Sequence, residues 1–131
     1  MQIRAVTKLQ HTEFVFVDEI AVFHPVGRQS LQQAVGLVRD AITRACIQRI
    51  NKLLVVLTDV TGYEAPSLAM RLSIVRERAG AAGGTVSLAV VCRPEFIDPQ
   101  KFGVTVAANF GMVGNVFESE YEAIQWLHDL D

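Results

Sequence analysis

From residue 30 onward the hydrophobic positions switch repeatedly between helical and strand-like spacing. Leu31, Val35, Val38, Ile42, Ala45 and Ile50 recur every three to five residues, the mark of a helix with one buried face. Ser30 with Gln33 supplies a capping box to start that helix, and Asn51 is read as its left-handed stop. "KLLVVLT" at 52–58 then runs almost without a polar residue, which suits a strand buried on both faces and predicts the centre of the sheet.

The rhythm repeats. Leu68, Leu72, Val75, Ala79 and Ala82 predict a second helix after Ser67, stopped by Gly83 and Gly84, with Arg71, Arg76, Glu77 and Arg78 read as a solvated face. "TVSLAVV" is the next buried strand. "CRPEFIDP" follows, in which Asp98 can cap a third helix with Pro99 at its first position, supported by Phe102, Val106 and Phe110. Gly111 and Gly114 bracket a turn, "NVFE" reads as a short strand, and Ser119 with Glu122 forms a second capping box for a last helix carrying Ile124, Leu127 and Leu130.

Ahead of this region, "IRAVTKL" and "EFVFVDEIAVF" alternate with period near two and are expected to be strands forming a hairpin, followed by a turn at "HPVGRQ". Strand–helix alternation implies right-handed crossovers. The predicted fold is therefore α/β: one domain over 1–131, a mostly parallel β-sheet with the N-terminal strands added, and about four flanking helices.

Composition narrows the function classes. Half of the 131 residues are hydrophobic and a fifth charged, as in a folded globular domain. No apolar run approaches the roughly 20 residues of a membrane span, and "MQIRAVTKLQ" lacks a signal-like apolar stretch, so a soluble, cytoplasmic protein without membrane association is expected. A formal charge of −2 gives no net attraction to nucleic acid. Cys46 and Cys92 read as buried free thiols, and His11, His24 and His128 fall in unrelated segments without H-x-x-x-H, C-x-x-C or H-x-E spacing, so no metal or other cofactor is expected. "GAAGGT" follows a helix, whereas a phosphate cradle precedes one, and no G-x-S-x-G elbow is present.

The remaining candidate is "TDVTGYEAPSLAMRL" at 58–72. A loop leaving the carboxyl end of a buried parallel strand is where open α/β sheets meet ligands and partners, and "CRPEFID" should leave the same edge. Gly62 permits a turn with positive φ, Asp59 and Thr61 can satisfy turn backbone, and Ser67 stands at the next helix's N-cap. A phosphate on Ser67 would meet the positive end of the helix dipole with Arg71 one turn away, opposed by Glu64.

Taken together, "KLLVVLTDVTG", "GGTVSLAVVCRPEFID", "KFGVTVAAN" and "VFESEYEAIQWL", in this order with their helices over residues 30–131, resemble the STAS-like superfamily of anti-sigma-factor antagonists, and more closely its SpoIIAA-like bacterial branch. The resemblance implies a sheet flanked by helices, a partner-binding loop edge and no intrinsic enzymatic activity. Ala65, Pro66 and Ser67 stand where switch-type members carry Asp-Ser-Ser or Asp-Ser-Thr, so only Ser67 carries over, as a candidate phospho-acceptor. Two functions are expected from this reading. The first is a non-catalytic regulatory or protein-interaction domain acting through residues 59–67 and 93–98. The alternative is a small-molecule (nucleotide or lipid-like) binding domain or weak enzyme with a pocket between the same loops, lined by Asp59, Tyr63, Glu64, Arg93 and Glu95. Unpaired strand edges near the N-terminus also suggest a homodimer.

Overall fold

In a computed structural model, which describes residues 14–98 and 100–130, with residues 102, 103 and 106 described by their backbone alone, the chain forms a five-stranded sheet. The predicted strand "IRAVTKL" and the His11 position lie outside the described residues. The hairpin is contained in "EFVFVDEIAVF": β1 (Val15–Val17) turns at Asp18, with φ 55, and pairs antiparallel with β2 (Ile20–Phe23). Then come β3 (Gly27–Arg28), α1 (Leu31–Ile47), β4 (Lys52–Val56), β5 (Val60–Thr61), α2 (Leu68–Ala82) and β6 (Ser87–Val91). A single 3₁₀ turn at Pro94–Phe96 leads to α3 (Phe102–Asn109), β7 (Gly114–Phe117) and α4 (Glu120–His128).

The strand order is β1-β2-β4-β6-β7, with every pair after the hairpin parallel. β4 is central, as its apolar run predicts, and Leu53, Leu54, Val55 and Val56 are fully buried. An order that advances in one direction keeps right-handed linking helices on one face. Accordingly Leu53, Val55, Leu88 and Val90 share a core with Val38 and Ile42 of α1, Ala79 and Ala82 of α2, and Ala107 of α3. Their neighbours Leu54, Val56, Ala89 and Val91 point the other way, onto Ala123 and Leu127 of α4. The period-two alternation of strand side chains thus divides nearly uniform apolar runs between two cores.

Several boundaries differ from expectation. α1 stops before Asn51: Arg49 is the left-handed residue (φ 61), with Arg49 N–H donating to Cys46 O and Ile50 N–H to Ala45 O. This is a Schellman closure, and it ends the helix in time for Ile50 to pack onto the core. Ser30 and Gln33 form the full capping box, whereas at α4 only the forward bond, Glu122 N–H to Ser119 Oγ, is among the described hydrogen bonds. α3 begins at Phe102, and the expected Pro99 start lies outside the described residues; Asp98 closes a local turn, accepting from Gln100 N–H on its side chain and from Lys101 N–H on its carbonyl. In α2 Ile74 is buried beside the expected Ala79 and Ala82, while Leu68 is exposed. Cys46 is only half-buried, its thiol donating to the carbonyls of Ala81 and Ala82, whereas Cys92 is buried.

Candidate functional site

β4 and β6 are parallel neighbours, so the chain after each leaves from one edge of the sheet, as the sequence predicts. These exits behave differently from free loops. After Leu57 the chain forms β5, which pairs in parallel with β3: Gly27 N–H donates to Asp59 O and Gln29 N–H to Thr61 O. Val60 is fully buried at this ladder. Two-residue strands carry too little periodicity to be seen in sequence, and both fell inside segments read as turns.

Gly62 then turns with φ 102, and a Cβ there would lie 2.8 Å from Gln29 O. Past this pinch, Tyr63 swings inward against Phe96. Arg71, one turn into α2, ties the exits together by donating from Nε to Pro66 O and from Nη1 to Phe96 O, both at 3.1 Å. Ser67 caps α2, its Oγ accepting from Met70 N–H at 3.3 Å.

Behind this clasp lies a cavity of about 150 Å³. Its floor is Leu57, Val90 and Cys92 of the sheet; its walls are Ala34 and Val35 of α1, Ile74 and Val75 of α2, and Val104 of α3; Tyr63, Pro66, Phe96 and Ile97 stand at its mouth. Small residues set the space: Ala34 faces the sheet where a larger side chain would fill it.

Arg71 and Arg78 do share a face of α2, but it is this cavity face rather than a solvated one. Both are half-buried. Arg78 Nε is shut off from solvent and has no hydrogen-bond partner among the described residues. Loss of hydration holds its guanidinium below the usual arginine value. Glu77 does not relieve it with an ion pair; its Oε2 lies 3.3 Å from Arg39 Nη1 on α1. Burial also pushes the Cys92 thiol up to about 11, against the opposing pull of Arg78, Arg71 and Arg93, and raises the Tyr63 phenol. Cys92 at neutral pH is therefore a protonated wall residue, not a thiolate nucleophile.

Of the polar lining expected between the loops, the structure brings Tyr63 to the cavity and leaves Asp59, Glu64, Arg93 and Glu95 outside its lining. Asp59 Oδ2 lies 2.8 Å from His24 Nε2; Glu95 faces Arg93, whose guanidinium rests 5.1 Å from the Phe96 ring centroid. Thr61 belongs to β5 and Glu64 is exposed. Asp98 and Lys101 line the rim. No group of three or more potential metal ligands occurs among the described residues, and none of the described helices is long and apolar enough to cross a membrane. Compared with models of known protein families and with curated proteins, the chain gives no match to either.

Proposed function

We propose that this chain is a small-molecule-binding domain, its ligand seated between the strand exits in the cavity behind Tyr63 and Phe96. The observation that carries the reading is the cavity itself: a concave, mainly apolar space with a few convergent polar groups at the carboxyl edge of a parallel sheet. About 150 Å³ is also the size of an apolar protein cavity that takes up benzene, so the space fits one small ring or a short branched chain. Burying six carbons at ~0.8 kcal/mol each gives roughly 5 kcal/mol, close to the ~4 kcal/mol of a millimolar complex. Apolar contact alone makes a weak binder, and affinity has to come from the polar groups.

A phospho-switch at Ser67 has less support. Ser67 is exposed, but Arg71, the cation one turn away, commits two donors to the Pro66 and Phe96 carbonyls. The SpoIIAA-like resemblance stands beside the binding reading as a proposal of kinship, supported by the order of strands and helices after residue 30.

Uncharged benzyl alcohol and indole test the reading. Titrated into ¹⁵N-labelled protein, either probe should shift the amide signals of Tyr63, Val75, Val90 and Phe96, and Val75→Phe, which fills the space, should abolish the shifts. Unchanged spectra up to the probes' solubility limits, or shifts spread evenly over the surface, would rule the cavity out as a ligand site.

A further inference from the structure

Resting on the cavity reading above, we infer that the ligand is a small monocarboxylate, an aromatic or branched acid of about benzene's bulk, held through its carboxylate by the Arg78 guanidinium.

Arginine is rarely withdrawn from water without a counter-charge, because its hydration is lost and nothing replaces it. Arg78 comes partway to that position: it is half-buried, it lines the cavity, and its Nε is sealed from solvent with no hydrogen-bond partner among the described residues. The groups around it do not supply the charge. Cys92 and Tyr63 stay protonated at neutral pH, and the Glu77 carboxylate is engaged by Arg39. Arg71 and Lys101 line the same cavity beside one carboxylate, Asp98, and Arg93 lies close enough to pull on the Cys92 thiol, so a chain of net charge −2 has gathered more positive than negative charge around a small apolar space. Such a space with a partly desolvated cation in its wall attracts an amphipathic anion.

Two features select a carboxylate. The planar guanidinium fork matches two carboxylate oxygens, and a single delocalised charge loses less hydration on entering an apolar pocket than a phosphate dianion does. Tyr63, whose phenol stays protonated at neutral pH, lines the same cavity. Volume selects the part of the molecule that is buried, since about 150 Å³ holds a ring or a branched chain.

The test is a series on one ring: benzoate, benzamide, benzylamine and phenyl phosphate, titrated by calorimetry and by ¹⁵N chemical shifts into wild-type protein and Arg78→Gln. Benzoate should bind at least tenfold tighter than benzamide, and benzylamine should not bind. In Arg78→Gln benzoate should fall to the affinity of benzamide, with benzamide unchanged. Equal binding of benzoate and benzamide by the wild type, or a benzoate preference that survives Arg78→Gln, would overturn the carboxylate anchor while leaving the cavity reading intact. Phenyl phosphate binding tighter than benzoate would overturn the choice of carboxylate. Failure of all four, together with the uncharged probes, would remove the cavity reading as well. A second variant guards against misfolding: Arg78→Met should raise the Tm of the ligand-free protein, because an unpaired desolvated charge disappears. A lowered Tm would show that the guanidinium already has the partner assigned here to the ligand, and would overturn the proposal.

Discussion

The ring of Tyr63 sits 5.3 Å from that of Phe96, centroid to centroid, at an interplanar angle of 47°, joining the segment before α2 to the turn after β6. Both rings are half-buried, and they close a cavity whose floor is the sheet. Aromatic pairs of this geometry couple by about 1 kcal/mol beyond their burial. Tyr63→Ala and Phe96→Ala should each cost about 1–2 kcal/mol in urea unfolding, less than full burial would imply. The double variant should cost about 1 kcal/mol less than the sum. Strict additivity would mean that the two exits are held independently.

Gly62 and Gly83 both have positive φ, at 102 and 58, yet they should respond very differently to alanine. At Gly62 a Cβ meets Gln29 O at 2.8 Å, so Gly62→Ala must break the β3–β5 pairing and should cost about 2–4 kcal/mol. At Gly83 an added Cβ meets nothing within 4 Å among the described residues, and only the left-handed strain of about 1 kcal/mol remains. Thermal unfolding of the two variants checks the ranking, and hydrogen exchange at Gly27 and Gln29 should accelerate only in the first.

Ser67 acts as a cap in the structure, and a cap has its own substitution pattern. Ser67→Ala should lose about 1 kcal/mol, while Ser67→Asp should hold stability near wild type, because aspartate accepts the same N–H and favours the helix dipole. Denaturant midpoints of the three proteins decide it. Equal stability of all three would mean that the bond to Met70 N–H contributes nothing.

Cys92 predicts a stability loss in alkali. Its thiol is raised from 9.0 to about 11 on folding, so between those values the unfolded chain gives up a proton that the folded one keeps. Stability is fully present below pH 9 and falls as pH rises toward 11, by about 2 kcal/mol near pH 10.5 at 1.36 kcal/mol per unit. Tyr63, also raised, adds to the fall above pH 10. Cys92→Ala should be less stable than wild type at pH 8 and show a shallower decline to pH 10.5. Identical slopes in urea titrations would show that the thiol is not desolvated.

Much of the framework was legible along the chain because it depends on local terms. The run at 52–56, the Ser30–Gln33 box and the Gly83 stop each rest on residues within a few positions of one another. What escaped were features made by distant partners. Val60–Thr61 is a strand only because Gly27–Arg28 lies beside it, and the α1 stop shifted to Arg49 because Ile50 had a core to enter. Arg78 illustrates this most clearly. On a helical wheel it sits with Arg71 on a charged face, and nothing nearby in sequence says that this face would be turned toward Leu57, Val90 and Cys92.

By itself, then, the sequence determined an α/β chain with β4 at its centre, the N-caps at Ser30, Ser67 and Ser119, and an edge where the exits of β4 and β6 converge. These follow from hydrophobic period and from hydrogen bonds between near neighbours. Only the tertiary structure decided that this edge forms a cavity and that Arg78 lines it without an ion pair among the described residues. Empty space and desolvation are properties of surfaces brought together from β4, β6 and three helices, and no single stretch of chain contains them.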